Sequence, residues 1–372
     1  MAITKLTTAS ITDDAITADK VSAGVLPINF RNIIINGDMS LAQRGTSDSS
    51  NTTGGYVTCD RWLADIDTQG TWTLSQSTEV PSGQGFAKSF KYDCTTADAS
   101  PAAGDKINLQ QRLEGQMLQY LKKGTSSAES TTLSFWVRSN KTGTYICELQ
   151  DVDNTRSISK SYTISAADTW EKKTITFAGD TSGALDNDSA RSLDVIWYLG
   201  AGSNLTSGTL NTSWNSTTAA NRAVGQVNLA DSTSNEWYIT GVQLEVGSAA
   251  SDFEFLPFDV NRDRCVRYFL AVGKTDGQVH NMVMNGYLST ICYGNFQLEK
   301  KMRTTPSVTF VTTGRGLYNN GASKTISSLG ASSCSSQSIA FDIGGSGWSA
   351  GESLHLNNTD QTNGFCQVSA EL

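Results

Sequence analysis

Two short runs of acidic and amide residues are the first places in this sequence where chemistry could occur. Asp151-Val152-Asp153-Asn154 and Asp186-Asn187-Asp188 each place two carboxylates around one turn. Ca²⁺ prefers hard oxygen ligands of this kind, although neither run completes an EF-hand loop. The alternative is a turn in which Asp and Asn side chains bind their own backbone. We therefore predict no cofactor and leave Ca²⁺ open as a structural ion.

The motifs that would identify an enzyme are missing from the sequence. The two histidines, His280 and His355, lie far apart and belong to no nucleophile or metal motif. There is no HExxH, no Walker loop and no GxGxxG after a strand, and the one GxSxG string, Gly347–Gly351 (GWSAG), lies in a Gly/Ser-rich loop and not on the strand-to-helix turn of a nucleophile elbow. Glycoside cleavage needs two acids about 5–10 Å apart across a sugar, and no such pair stands out here. We predict no catalytic residues and no enzymatic activity.

The eight tryptophans are more informative, because an indole either fills a core or offers a flat face to a sugar ring. Trp136, Trp197 and Trp237 lie in apolar segments that are predicted to be strands. For these three side chains we expect burial in the core.

Three other aromatic residues lie in polar loops and are the predicted ligand contacts. Trp214 is in SGTLNTSWNSTT, Tyr318 is in GRGLYNNG and Trp348 is in GGSGWSAGE. Binding residues concentrate on such loops, so we expect these rings to be exposed and to contact the ligand. The alternative for Tyr318 and Trp348 is an interface that holds a trimer together.

The composition favours many short strands joined by polar turns. Of the 372 residues, only 17% are charged and 33 are Gly, while Ser, Thr and Asn are abundant. The net charge of -8 argues against nucleic-acid binding, which depends on Lys and Arg contacts to phosphates. No stretch reaches the roughly 20 apolar residues of a membrane span. We predict an all-β protein with no nucleic-acid partner and no membrane insertion.

The cysteines and the N-terminus indicate synthesis in a cytoplasm. The first residues lack the basic stretch and apolar run of a secretory signal. An odd number of cysteines without CxxC spacing is typical of reduced, mostly buried thiols. These residues are Cys59, Cys94, Cys147, Cys265, Cys292, Cys334 and Cys366.

The first 29 residues contain a five-residue repeat. Its aliphatic positions are Leu6, Ile11, Ile16, Val21 and Leu26. A period of five fits neither a helix nor a flat strand, so one copy cannot bury this stripe by itself. Three copies around one axis could bury it, which predicts a trimerisation and anchor segment at residues 1–29. The alternative is a disordered polar tail.

The remaining chain is predicted to form two β domains, at residues 30–258 and 259–372. The candidate strands of the first are Asn32–Ile35, Trp72–Ser75, Thr131–Val137, Thr144–Gln150, Thr174–Phe177, Leu193–Tyr198 and Trp237–Leu244. Gly115 interrupts Leu109–Leu121, which we interpret as a strand followed by a short turn or helix. Short strands separated by polar turns indicate a β-sandwich.

The second domain is predicted to begin with a short helix that Asp259 caps. Its candidate strands are Ser289–Phe296, Ser307–Val311, Ser338–Ile343, His355–Asn357 and Cys366–Ala370. This smaller domain is expected to be a second sandwich.

Several ordered motifs carry a resemblance to a known group of proteins. They are Asn32–Gly45 (NIIINGDMSLAQRG), Cys59–Trp62 (CDRW), Leu109–Gly115 (LQQRLEG), Thr132–Tyr145 (TLSFWVRSNKTGTY), Asp168–Thr181 (DTWEKKTITFAGDT), Trp237–Glu254 (WYITGVQLEVGSAASDFE) and Cys265–Phe269 (CVRYF). Together they resemble the β-sandwich region of tail-fibre and related virion proteins of phages, including many marine ones. The fold that this resemblance implies is similar to the carbohydrate-binding jelly rolls.

The resemblance implies a homotrimeric virion protein that is made in the host cytoplasm and exposed on the particle. The N-terminus would bind other virion proteins, and the β domains would recognise host-surface polysaccharide or another receptor. A tail fibre is the leading interpretation, with a capsid (head) fibre or decoration protein as the alternative and a polysaccharide-degrading tailspike as the third. The resemblance carries over no defined sugar site. Because the N-terminus would be the attached end, residues 259–372 are the predicted receptor-facing tip.

Overall fold

The computed structural model describes residues 30–273, 280–311, 315–319, 321–358 and 365–372. The predicted anchor at residues 1–29 lies outside these described residues, together with its aliphatic stripe of Leu6, Ile11, Ile16, Val21 and Leu26. All statements about structure below concern the described part of the chain.

Two antiparallel sheets form a sandwich from residues 47–246. Its strands are β1 (Ser47–Asn51), β2 (Gly54–Gly55), β3 (Leu63–Asp67), β4 (Thr71–Ser77), β5 (Ser89–Thr96), β6 (Lys106–Glu114), β7 (Thr131–Ser139), β8 (Gly143–Asp151), β9 (Arg156–Ile164), β10 (Glu171–Phe177), β11 (Arg191–Ala201), β12 (Asn215–Ser216) and β13 (Glu236–Val246). The six-stranded sheet has the order β1-β4-β5-β13-β7-β10. The seven-stranded sheet has the order β12-β9-β8-β11-β6-β3-β2.

Alternation along the strands produces the core between the two sheets. In β7, Leu133, Phe135 and Val137 are fully buried in the main hydrophobic cluster, whereas Trp136 and Arg138, at the alternate positions, are only partly buried. Successive side chains of a strand point to opposite faces, so this pattern directs one row inward and the other outward. The predicted strands of β4, β7, β8, β10, β11 and β13 are confirmed within their longer observed ranges.

Asn32–Ile35 was predicted as a strand, and this prediction is wrong. The segment forms no strand. A side-chain oxygen of Asn32 accepts backbone hydrogen bonds that a neighbouring strand would otherwise accept. This oxygen, Oδ1, accepts hydrogen bonds from the backbone N–H groups of Ile34 (3.0 Å) and Leu244 (3.2 Å). The prediction for Leu109–Leu121 is confirmed, since β6 is followed by 3₁₀ turns at Gly115–Met117 and Gln119–Leu121.

One very short helix and one longer helix accompany the strands. The short one is α1 (Ser203–Thr206), which lies in the long connection between β11 and β13. The longer one is α2 (Phe258–Val266), and it confirms the predicted linking helix. The predicted cap is wrong, because Pro257 occupies the N-cap position and Asp259 lies in the first turn. None of the helices in the described residues is long and apolar enough to cross a membrane.

Helix α2 contacts the cores on both sides of it. Cys265 packs with Ile35 and Leu41 of the N-terminal part, whereas Val266 belongs to the hydrophobic cluster of the C-terminal part. The boundary at residues 258/259 stays a prediction, since this helix shares its contacts between the two parts.

The C-terminal part contains a barrel and a small sheet. Its strands are β14 (Phe269–Val272), β15 (His280–Leu288), β16 (Ile291–Gln297), β17 (Ser307–Phe310), β18 (Arg315–Asn319), β19 (Ala322–Cys334), β20 (Ser338–Ser346), β21 (Ser353–Asn358) and β22 (Cys366–Ser369). Strands β15-β16-β20-β19-β18-β21 close into a barrel, and β14-β22-β17 form the small sheet. The all-β fold is confirmed, and the smaller unit closes its strands into a barrel where two packed sheets were expected.

All seven cysteines are free thiols, and every one except the partly buried Cys334 is buried. The expectation of reduced thiols that do not pair with one another is confirmed.

Candidate functional site

A polar groove runs across the outer face of the seven-stranded sheet. Strand β6 supplies its floor through Lys106, Asn108, Gln110 and Arg112. The residues between them, such as Leu109, point into the sandwich core. The sequence KINLQQRLE therefore contains the signal for this surface as a two-residue alternation of polar and apolar side chains.

The connection between β11 and β13 forms one wall of the groove. Part of this segment covers the outer face of the sheet, where Ala223 packs with Ile146, Ile196 and Tyr198 in a small apolar cluster. A cavity of about 430 Å³ is left between this wall and β3. The groove is therefore bounded on two sides and floored by polar side chains.

Asp65 of β3 gathers three side chains of the groove floor. One of its carboxylate oxygens, Oδ2, accepts hydrogen bonds from Lys106 Nζ (2.9 Å), Asn108 Nδ2 (3.2 Å) and Gln110 Nε2 (3.2 Å). These contacts hold the floor side chains in place before any ligand arrives. Such preorganisation lowers the loss of side-chain entropy that accompanies binding.

A second carboxylate fixes an arginine of this wall to the sheet. Glu148 is fully buried and accepts hydrogen bonds from Arg222 (2.7 Å to Nη2) and from the Tyr198 hydroxyl (2.8 Å). The same arginine nitrogen also donates to Gln150 Oε1 at 2.7 Å. Burial, and then the nearby Glu148 carboxylate, raises the pKa of Tyr198 well above its ordinary value, so the phenol stays neutral.

One buried acceptor in the groove has no partner. The side chain of Asn108 is 3% exposed, and its Oδ1 accepts no hydrogen bond in the described part of the chain. A buried polar atom without a partner costs about 1–3 kcal/mol, and a ligand that donates to it removes this cost. At the mouth, Asp67 and Asn204 are exposed and make no side-chain hydrogen bond within the described residues. The groove can therefore bind a ligand rich in hydroxyl groups, which both donate and accept.

The three predicted contact residues do not line this groove. Trp214 is half-buried against the sandwich core, its Nε1 donates to the Ala178 carbonyl (2.7 Å), and Lys123 Nζ lies 5.1 Å from its ring. Tyr318 is 37% exposed on β18 of the barrel. Trp348 belongs to the barrel core and is only 5% exposed, so its expected exposure is wrong.

The barrel carries an exposed row of side chains that includes Tyr318. The register of strands β15, β21 and β18 places Val283 opposite His355, and His355 opposite Tyr318. All three side chains are exposed. Nearby, the exposed rings of Tyr287 and Tyr293 lie 5.4 Å apart. Tyr318 stays a predicted contact residue, now as part of this barrel face.

Only two of the three tryptophans that were predicted in the core lie there. Trp197 and Trp237 are fully buried, as expected. Trp136 is half-buried on the outer face of the six-stranded sheet, so its predicted place in the core is wrong. The reason is the period of two in β7, which puts Trp136 on the opposite side from Phe135 and Val137.

The two acidic runs contact backbone groups and each other. Asp151 is buried beside Lys123, and its Oδ1 accepts a hydrogen bond from the Asn154 backbone (3.0 Å). Asp153 Oδ2 accepts from the Asp186 backbone at 2.9 Å. These contacts match the alternative to a Ca²⁺ site, in which Asp and Asn side chains bind backbone groups in a turn. Among the described residues, no three His, Cys, Asp or Glu side chains come together as metal ligands.

No family model matches the sequence, and no curated protein matches it at a significant level. Solved structures with a similar arrangement include a putative sugar-binding protein of Bacteroides thetaiotaomicron, which is 14% identical over 58% of this chain and 100% of its own, with a TM-score of 0.33. The family 11 carbohydrate-binding module of a Clostridium thermocellum cellulase is 10% identical over 54% of this chain and 96% of its own, with a TM-score of 0.28.

A phage protein is also similar. The enzymatically active domain of tailspike protein 4 from bacteriophage CBA120 is 15% identical over 58% of this chain, with a TM-score of 0.31. The matched part spans only 22% of that tailspike chain. At these identities and TM-scores, the similarities have no bearing on what this chain binds.

Proposed function

We propose that this protein is a phage virion fibre protein, most simply a tail fibre, that recognises host-surface glycans. It is a homotrimer whose N-terminus attaches to other virion proteins. The ordered motifs between Asn32 and Phe269 support the virion role through their resemblance to phage fibre proteins. A capsid (head) fibre or decoration protein is the alternative. The polar groove carries the proposal for glycan recognition.

The groove suits a glycan chain because it offers fixed donors and a free acceptor side by side. Lys106 and Arg222 are held in place by their carboxylate partners, whereas Asn108 Oδ1 has no partner in the described residues. A sugar hydroxyl can satisfy such an acceptor and receive a hydrogen bond at the same time. A single site of this kind binds weakly, and three copies on a trimer raise the avidity by roughly 10²–10⁴.

The first prediction tests the groove. On an array of bacterial surface polysaccharides, the wild-type protein should bind at least one polymer. The double variant Asp67→Ala/Asn204→Ala should bind it about tenfold more weakly, since each lost hydrogen bond contributes roughly 0.5–1.5 kcal/mol. Asn108→Leu, which keeps the approximate shape and removes the acceptor, should show a similar loss. Isothermal titration with the selected polymer measures both effects.

The control for this experiment is Asp259→Ala, which removes the same charge from an exposed side chain on α2. Unchanged binding in the groove variants would rule out the groove as the glycan site. We also propose that the protein has no hydrolase or lyase activity. Release of reducing sugars from the bound polymer, abolished by one Asp or Glu substitution, would favour the tailspike interpretation instead.

The second prediction concerns attachment. Deleting residues 1–29 should lower the oligomeric state or detach the protein from virions, because the aliphatic stripe from Leu6 to Leu26 needs partner copies to be buried. Light scattering of the purified protein and immunoblots of purified particles measure the two effects. Normal trimers and normal incorporation of the truncated protein would contradict the anchor assignment.

A further inference from the structure

The outer face of the six-stranded sheet contains a second, smaller cavity of about 160 Å³. One side is made of three phenylalanine rings, Phe86, Phe253 and Phe255, whose centroids lie 4.9–5.2 Å apart. These rings are separate from the main core, and Phe255 is 52% exposed. Trp136 of β7 lines the same cavity.

The backbone of β13 is shaped to admit one of these rings. Gly241 has a φ of +61°, and a Cβ added there would lie 2.5 Å from Phe86. A larger residue at this position would therefore displace the ring and strain the backbone. The aromatic wall thus depends on a specific glycine in the sheet beneath it, which indicates a built cavity and not a chance gap between loops.

Polar side chains without partners surround the aromatic wall. Ser134, Lys172, Asp252 and Gln84 all line the cavity, and none of these side chains has a hydrogen bond or ion pair in the described part of the chain. This differs from the polar groove, where most charged side chains already bind each other. The cavity therefore combines an apolar wall with a hydroxyl, an amide, one cation and one anion that are free to bind a ligand.

A sugar ring matches this combination. One face of a pyranose presents C–H groups, which pack on aromatic faces, while its edge presents hydroxyl groups for polar side chains. The size of the cavity fits one ring and not a chain, and the single positive and single negative group favour a neutral sugar. We propose that this aromatic pocket, formed by Phe86, Trp136, Phe253 and Phe255, binds one neutral pyranose ring at the end of a glycan.

The test uses methyl glycosides of glucose, galactose, mannose and N-acetylglucosamine as probes. At least one glycoside should give saturation-transfer NMR signals with the full-length protein. Trp136→Ala should weaken its binding at least tenfold, and Asp252→Ala, which changes only an exposed side chain, should weaken it about threefold. Asp259→Ala is the matched control for charge. Thermal melting of each variant separates lost binding from lost folding.

Two further results separate this site from the polar groove. The groove variant Asp67→Ala/Asn204→Ala should bind the glycoside as well as the wild-type protein does. If none of the glycosides binds, if folded Trp136→Ala and Asp252→Ala bind normally, or if only the groove variant loses binding, the pocket assignment is wrong. Retained glycoside binding without any polysaccharide binding would contradict the proposed function of the groove and leave the pocket assignment intact.

Discussion

Trp348→Ala should destabilise the barrel strongly, whereas Tyr318→Ala should leave its stability unchanged. Truncating a buried Trp to Ala costs about 3–5 kcal/mol of the free energy of unfolding. For a unit of about 100 residues, that loss lowers the melting temperature by roughly 15–25 °C. Differential scanning calorimetry of the full-length variants measures this difference.

The surroundings of Trp348 explain the size of the expected effect. Its Nε1 donates to the Leu288 carbonyl at 2.8 Å, and its ring lies between strands β15 and β20. A Cβ added to Gly286 would be 3.1 Å from the indole, and one added to Gly345 would be 2.7 Å from it. The ring therefore fills a space that two glycines keep open, and Ala would leave a cavity there.

The matched variant separates contact with the host from stability. Tyr318 is exposed on the barrel face, so Tyr318→Ala should reduce adsorption to host cells while the melting temperature stays constant. Surface substitutions usually change stability by no more than about 0.5 kcal/mol. If Trp348→Ala melts like the wild-type protein, the indole does not support the barrel core. If Tyr318→Ala adsorbs normally, this face is not the contact surface.

The burial of Trp348 could not be predicted from the sequence. GGSGWSAGE has the composition of an exposed loop, and nothing local indicates that the indole packs close to Gly345 in the barrel. Seven of the thirteen strands of the sandwich could be predicted, because apolar side chains alternate in strands such as β7, whereas β3, β5 and β9 are among those that were not predicted. Strand β19 was missed because ASKTISSLGASSC contains few apolar residues and no regular alternation.

The candidate groove could be predicted only in part. The alternation of Lys106, Asn108, Gln110 and Arg112 indicates a polar sheet face. The other components come from β3, β8, β11 and a long connection, which are distant in sequence and meet only through the sheet order. No residue spacing in the sequence indicates that Asp65 binds three side chains of β6, or that Arg222 binds Glu148.

Replacing Glu371 should destabilise the contact between the sandwich and the C-terminal part. Glu371 pairs with Arg61 of the sandwich and with Arg44, which precedes its first strand, and the side chain of Arg61 is fully buried. The Arg61 guanidinium lies 3.5 Å from the centre of the Tyr268 ring, and that of Arg44 lies 3.5 Å from the centre of the Phe269 ring. These cations therefore sit among residues of both parts, with Glu371 as their shared counter-charge.

Glu371→Gln should lower the free energy of unfolding by about 3–5 kcal/mol, because it leaves buried positive charge without its partner. Urea denaturation followed by tryptophan fluorescence measures this loss. Glu299→Gln is the matched control, since Glu299 pairs with Arg262 at the surface and such pairs contribute about 0–1 kcal/mol.

A double variant identifies the cause of the loss. Arg61→Met/Glu371→Leu removes the fully buried cation together with its counter-charge and keeps apolar volume, while Arg44 keeps Asp60 as a nearby carboxylate, so this variant should recover part of the stability that Glu371→Gln loses. Recovery would show that uncompensated buried charge, and not the missing contact, destabilises the single variant. A double variant that is no more stable than Glu371→Gln, or a single variant within about 1 kcal/mol of the wild-type protein, would contradict the role of Glu371 as counter-charge. In either case, other contacts would hold the sandwich and the C-terminal part together, among them the pair of Arg267 with the buried Glu114 and the apolar contacts of Cys265 and Val266 on α2.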